Sequence, residues 1–388
     1  MPTISAVSLT GSLFLGAVIF VTVAALAILV LFWSSFEGRR PAKVLARTGM
    51  LLLVNALVLV TALTQVNAQF LFFADWTDLT AAFRSTPTST LVKRGMAASQ
   101  AAAQAVAGPA ATAGKSLPPL PTGRMSASGV ISYTVKGRLS GLVGKVIVQL
   151  PPEYTATNRA GVRYPVLEAF QGYPGGPESW IVGMQLGDVI TQQVDAHRMG
   201  PAIVVSPQVE VPGGVDTECV NGTAGSPQLE TWLAQDVPDW VAHTFRVRTN
   251  RASWAAIGLS AGGWCAAMVA LLHPAQYAAA IVMGGYFRPE FGPYYRPYPS
   301  SSPLATRYDL VALSKKRPPP LAIWLETSHV DHVSYASTAA FLKAAKRPVA
   351  VDATVLQHAG HRISLWKGLL PGSLTWLGAN VDGFKPSP

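Results

Sequence analysis

The sequence predicts an α/β domain with a mostly parallel central sheet, preceded by two transmembrane helices. Three observations carry this expectation: two long uncharged runs near the start, an Ala/Pro-rich stretch after them, and, from Val130 onward, β-rich apolar runs alternating with helical patterns. These shifts in composition divide the 388 residues into an anchor over 1–77, a linker over 78–125 and a folded domain over 126–388.

The first run, Leu13 to Phe32, has no charged residue, and its roughly 20 residues at 1.5 Å rise match a hydrocarbon core of about 30 Å. The second, Thr48 to Phe73, starts apolar and becomes more polar through Asn55, Gln65, Asn67 and Gln69. Between the runs lie Arg39, Arg40, Lys43 and Arg47 against the single acid Glu37, and no charged side chain precedes the first run. The positive-inside rule therefore makes this loop cytoplasmic and puts everything after Phe73 outside. A cleaved signal peptide is the alternative reading of the first run, but the run lacks a basic n-region and exceeds the usual length of about 7–15 apolar residues.

Of the charged side chains, nine basic and three acidic ones fall in residues 1–125, leaving a net +4 of the overall +10 for the rest. Most of the excess is thus topogenic or in the linker. No basic stripe interleaved with aromatics follows, so no nucleic-acid partner is expected. The two cysteines, Cys219 and Cys265, both fall in the part placed outside, where a disulfide is permitted; two buried free thiols are the alternative.

The linker centres on MAASQAAAQAVAGPAATAG. Its GPAATAGKS approaches a phosphate-binding GxxxxGK[ST] loop, but five residues rather than four separate Gly108 from Gly114 and no strand precedes it. Beyond it, strands are expected at Val130–Lys136, Lys145–Leu150, Val166–Phe170, Ala202–Ser206, Ala255–Gly258, Ala279–Met283, Leu321–Glu326 and Val349–Leu356. Helices are expected at Gln228–Thr244, Ala261–Leu272 and Ser334–Lys346.

The strongest chemical signal is Gly258-Leu259-Ser260-Ala261-Gly262, a GxSxG motif between an expected strand and an expected helix. There the glycines permit a sharp turn that lifts the serine Oγ above the sheet edge, and the helix start favours developing negative charge. Serine needs a base to take its proton. Among His273, His329, His332, His358 and His361, the base is expected to be His361, in the loop after the last strand; His358 stands closer to the strand, and His273 ends the elbow helix before Pro274.

The acid that orients the base is expected after the preceding strand, where LETSHVDH offers Asp331, with Glu326 as the alternative and Asp352 as a third candidate. The same loop approaches an HxHxDH metal pattern, but Thr327 stands where its first histidine belongs, so no metal and no cofactor are expected. The oxyanion hole needs two backbone donors. Ala261 supplies one, and the Gly-rich turn in EAFQGYPGGP supplies the other, assigned to Tyr173 with Gly172 as its neighbour.

Over residues 130 to 370 the chain resembles the esterase group of α/β hydrolases that includes esterase D-like enzymes and the antigen 85 mycolyltransferases. The likeness rests on PVLEAFQGYPGG, LETWLAQDVPDWV, GLSAGG and AGHRISLW; Gln171 departs from the His or Asp more common before that glycine. The resemblance implies an α/β-hydrolase fold, Ser260 as nucleophile, His361 as base, and Tyr173 and Ala261 as oxyanion donors. It implies acyl-enzyme chemistry and leaves the acceptor open. Water gives an esterase acting on a small-molecule or lipid ester; a sugar or envelope glycan gives an acyltransferase. A non-catalytic envelope-binding module is the reading from another class. The Pro- and Tyr-rich stretch from Tyr286 to Pro320 either walls the substrate cleft or lies on the surface.

Overall fold

The computed structural model describes residues 8–38, 40–81, 89–104, 106, 124–125, 129–155, 161–293 and 295–386. Arg39, most of the Ala/Pro-rich stretch and its GPAATAGKS motif lie outside them. The chain divides into two units, residues 1–88 with 357–362, and residues 89–356 with 363–388.

In the first unit, length and apolarity make two helices, α1 (Ser12–Leu31) and α2 (Pro41–Phe70), each long and apolar enough to cross a membrane. They lie against each other, and the Thr22 and Thr61 hydroxyls meet at 2.7 Å. Helix α2 begins earlier than expected, because Pro41 suits a first helical turn, whose N–H groups have no partner within the helix. Lys43 and Arg47 consequently ride on its first two turns. The helix ends at Leu71 in the left-handed conformation (φ 53°). The Asn67 side chain then accepts from the Phe73 N–H at 2.7 Å and donates to the Phe73 carbonyl at 2.9 Å, turning the chain toward α3 (Trp76–Ala81).

The second unit is built on a ten-stranded sheet: β1 (Ser89–Gly95), β2 (Arg124–Met125), β3 (Val130–Lys136), β4 (Val143–Gln149), β5 (Val166–Phe170), β6 (Ile203–Pro207), β7 (Trp254–Leu259), β8 (Ala279–Met283), β9 (Ala322–Ser328) and β10 (Ala350–Leu356). Their spatial order is β1-β10-β9-β8-β7-β5-β6-β4-β3-β2. From β6 to β10 the pairing is parallel, while β1 on one edge and β4-β3-β2 on the other are antiparallel. The central strands β5, β7 and β8 are buried at every position, which is why they read as continuous apolar runs and not as alternating ones.

Helices cover the sheet: α4 (Ala98–Ala103), α5 (Leu186–Asp195), α6 (Leu229–Thr231), α7 (Val237–Thr244), α8 (Ala261–Leu272), α9 (Pro303–Arg307), α10 (Leu310–Lys316), α11 (Tyr335–Ala344) and α12 (Ile363–Asn380). A wider π-helical stretch, Trp232–Asp236, joins α6 to α7 just ahead of Pro238, whose missing N–H removes a normal helical donor.

All eight expected strands are present with boundaries within two residues of those expected. Two features differ. Residues 78–125 are not only a tether, because β1 pairs with β10 over seven residues and α4 packs against β9 and β10. Helix α12 was not anticipated, because Gly368, Pro371 and Gly372 weaken its local signal; burial of Trp366, Leu370, Leu374 and Leu377 against the domain fixes it instead. Cys219 and Cys265 are joined as a disulfide with their Cα atoms 5.7 Å apart.

Candidate active site

The C-terminal end of β7 delivers Ser260 into a strained turn. Its φ and ψ are 55° and −127°, a region a side chain other than glycine adopts only at a cost of about 1–3 kcal/mol. The surroundings hold it there. The Ser260 N–H donates to the Met283 carbonyl at 2.8 Å, and the Ser260 carbonyl accepts from Gly263 and Trp264. A Cβ on Gly258 would stand 1.8 Å from the Gly262 carbonyl oxygen, and one on Gly262 would stand 2.1 Å from that of Phe170. Both flanking glycines are thus demanded by backbone approaching backbone. Helix α8 starts at the next residue, directing its N-terminal end at the serine.

The turn after β5 adjoins this serine: a Cβ on Gly172 would lie 3.2 Å from Ser260 Cβ. Behind that turn the buried Glu210 accepts from the Gly175 N–H at 3.0 Å and the Gly214 N–H at 3.4 Å. Gln171 is fully buried, its amide between the Pro207 carbonyl and the Val209 N–H at 3.3 Å each when turned to donate to the first and accept from the second. Among the described residues, no backbone carbonyl accepts from the N–H of Tyr173 or of Ala261.

The three acid candidates sit in different settings. Asp331 lies in the turn after β9, 3% exposed, with Oδ2 accepting from the Ser334 hydroxyl at 2.6 Å and Oδ1 from the Val333 N–H at 3.0 Å. Because Ser334 donates its one hydroxyl proton there, the Thr327 hydroxyl at 2.8 Å donates to Ser334. Glu326 lies inside β9, and its Oε2 accepts from the Gly284 N–H and the Trp366 indole, both at 3.1 Å. Asp352, on β10, accepts from the Trp376 indole at 2.7 Å.

The histidines also separate. His273 meets Glu230 at 2.7 Å, in a cluster completed by Arg307 and the Tyr308 hydroxyl. Burial alone raises the Glu230 carboxyl, but the hydrogen bonds from His273, Arg307 and Tyr308 outweigh it and bring it to about 2. His329 and His332 are exposed on the turn after β9. His358 and His361 lie on residues 357–362, which follow β10 yet belong to the first unit. His358 Nδ1 is 2.9 Å from Asp75 Oδ2, and the His361 N–H donates to the Leu71 carbonyl at 2.8 Å. Burial pushes the Asp75 carboxyl up, but the Asp78 N–H and the His358 ring prevail and leave it below its usual range.

Sequence reasoning missed the partners of this last loop. Asp75 and Asp78 are the only acids between Glu37 and Glu153, and that isolation was the available signal. It also missed Glu218, beside the disulfide, whose carboxyl is raised to about 8 by burial and by the nearby Asp216 while the Tyr286 hydroxyl donates to it at 2.6 Å. The Tyr- and Pro-rich insertion is partly buried. Tyr286, Phe287, Tyr298 and Tyr308 are buried, and Arg288, Phe291 and Arg296 line a cavity of about 580 Å³ with the last two of these tyrosines.

Residues 143–376 match the model of a family described as "Putative esterase". A stretch of 143 residues is 29% identical to an uncharacterized protein of Corynebacterium glutamicum, covering 37% of this chain and about a third (33%) of that protein. Among solved structures, an S-formylglutathione hydrolase from Agrobacterium tumefaciens superposes with a TM-score of 0.55 at 13% identity, over 68% of this chain and 99% of that one. A ferulic acid esterase gives 0.53 at 18%, over 64% and 96%. A fluorophosphonate-binding serine hydrolase of Staphylococcus aureus gives 0.52 at 15%, over 64% and 97%. At these identities the structures establish the α/β-hydrolase fold, and the family match, spanning more than half of the residues, establishes that the chain belongs to this esterase family.

Proposed function

We propose that this protein is a membrane-anchored serine esterase whose catalytic domain faces away from the cytoplasm and whose reaction passes through an acyl-enzyme on Ser260. The observation that carries the reading is the strained Ser260 turn at the head of α8, with the Gly172 turn against its Cβ. In this reading His361 takes the Ser260 proton as Oγ attacks the ester carbonyl carbon, and Asp331 holds the imidazole in the required tautomer. The carbonyl oxygen becomes an oxyanion received by the Tyr173 and Ala261 N–H groups. The alcohol leaves with the proton from His361, and water, deprotonated by the same histidine, releases the acid and restores the serine.

Asp331 is preferred to Glu326 because it lies in the turn beyond β9, whereas Glu326 lies within the strand. Anchoring is supported by α1 and α2, and orientation by the basic residues just before α2 and on its first two turns. The test is treatment of the full chain with a fluorophosphonate probe, with the adduct located by peptide mass. Labelling confined to Ser260 and absent in Ser260→Ala is the expected result; no labelling of folded wild-type protein refutes the proposal.

A further inference from the structure

The loop 357–362 is far more firmly tied than a connection between a strand and a helix requires. Gly360 donates its N–H to Asp78 Oδ2 at 2.7 Å, across 282 residues of sequence. Arg362 Nη1 lies 2.8 Å from both Asp78 oxygens and donates to the Phe72 carbonyl at 3.1 Å, and its guanidinium stands over the Phe73 ring. Between these two residues the His361 N–H donates to the Leu71 carbonyl. The approach is close enough that a Cβ on Gly360 would stand 2.2 Å from the Phe72 carbonyl oxygen. Asp78 is 1% exposed and also accepts from the Ala74 N–H at 3.0 Å. A carboxylate is seldom buried this completely without paired and directional partners, and here those partners flank His361 on both sides.

We propose that Leu71–Asp78, the segment trailing the second long apolar helix, is a positioning element of the active site. Through Asp78 and the Leu71 carbonyl it fixes the backbone on which His361 rides, so that acylation of Ser260 depends on the folded end of the anchor. The inference rests on His361 being the base. Asp78 acts through another residue and does not touch substrate. Its loss leaves the half-buried Arg362 guanidinium without its carboxylate and frees the Gly360 N–H, which releases the loop at the two positions flanking the imidazole. The anchor would then do more than tether, because an anchor that has not folded leaves the serine without its base.

The test uses the full chain in detergent micelles, with an activated short-chain ester and a fluorophosphonate as probes. In Asp78→Ala, kcat and the rate of Ser260 labelling fall by about a hundredfold, the scale on which misplaced catalytic groups act, while KM changes little. Added imidazole recovers part of the lost activity in Asp78→Ala, as in His361→Ala, an outcome that general destabilisation does not produce. Should Asp78→Ala fail to fold, Asp75→Asn, which removes only the half-exposed tie to His358, serves as the second variant and lowers kcat by a smaller factor. Wild-type kcat in the folded variant, with His361→Ala inactive, overturns the positioning role and leaves the base assignment standing. Wild-type labelling in His361→Ala overturns the base assignment itself.

Discussion

The Ser260 turn and the loop carrying His361 are both short connections following parallel strands, yet they are held in opposite ways. The serine turn is built mostly from its own short segment, with Gly258 closing on the Gly262 carbonyl and a helix beginning at the next residue, and the ends of β5 and β8 pack against it. The histidine loop is held by residues more than 280 positions upstream. A group whose geometry is set locally survives wherever its few surrounding residues survive. One held by distant carboxylates is coupled to the folding of another part of the chain.

Glycine replacements separate the two regions most sharply. Gly262→Ala drives a Cβ into the Phe170 and Gln171 carbonyls at 2.1 and 2.4 Å, and neither the start of α8 nor the buried end of β5 can yield. A loss of about 3 kcal/mol or more is expected in denaturant unfolding, together with all activity. Gly360→Ala meets the Phe72 carbonyl instead, and here activity falls by about a hundredfold while the sheet unfolds nearly as in the wild type. Equal stability losses in the two variants would erase the distinction. A fragment beginning at Ser126 lacks both β1 and the Leu71–Asp78 segment, and its activity falls at least as far as that of Gly360→Ala.

Smaller effects probe the serine side alone. Replacing Cys219 and Cys265 by serine opens a loop of 46 residues, with an expected loss of roughly 2–4 kcal/mol; an unchanged unfolding midpoint in oxidising and reducing buffer would show that the bridge contributes nothing. The pH dependence follows from Glu168 and Glu218, both raised from 4.5 to about 8, first by burial. The folded chain then holds protons that the unfolded chain releases between 4.5 and 8, so stability is greatest below that window and declines across it. The slope is at most about 1.4 kcal/mol per pH unit for each group. Glu218→Gln should flatten part of the decline in unfolding measured from pH 5 to 8; an unchanged slope would mean that Glu218 ionises as readily folded as unfolded.

By itself the sequence determined the two apolar helices, the alternating α/β order, the eight central strands and the Ser260 turn. Each rests on signals confined to a short window: hydropathy over a span, apolar runs bounded by turns, and glycines two residues on either side of a serine. What only the tertiary structure decided lies in pairings between distant segments. Strand β1, in a stretch whose composition reads as linker, acquires its identity from β10. Helix α12 forms despite Pro371 because its apolar face is buried against the domain. Asp78 reads as one acid at the start of a tether until Arg362 and Gly360 are brought to it. Periodicity records which face of an element is buried, whereas the partner that buries it is chosen by the closure of loops hundreds of residues long, a choice to which no local window is sensitive.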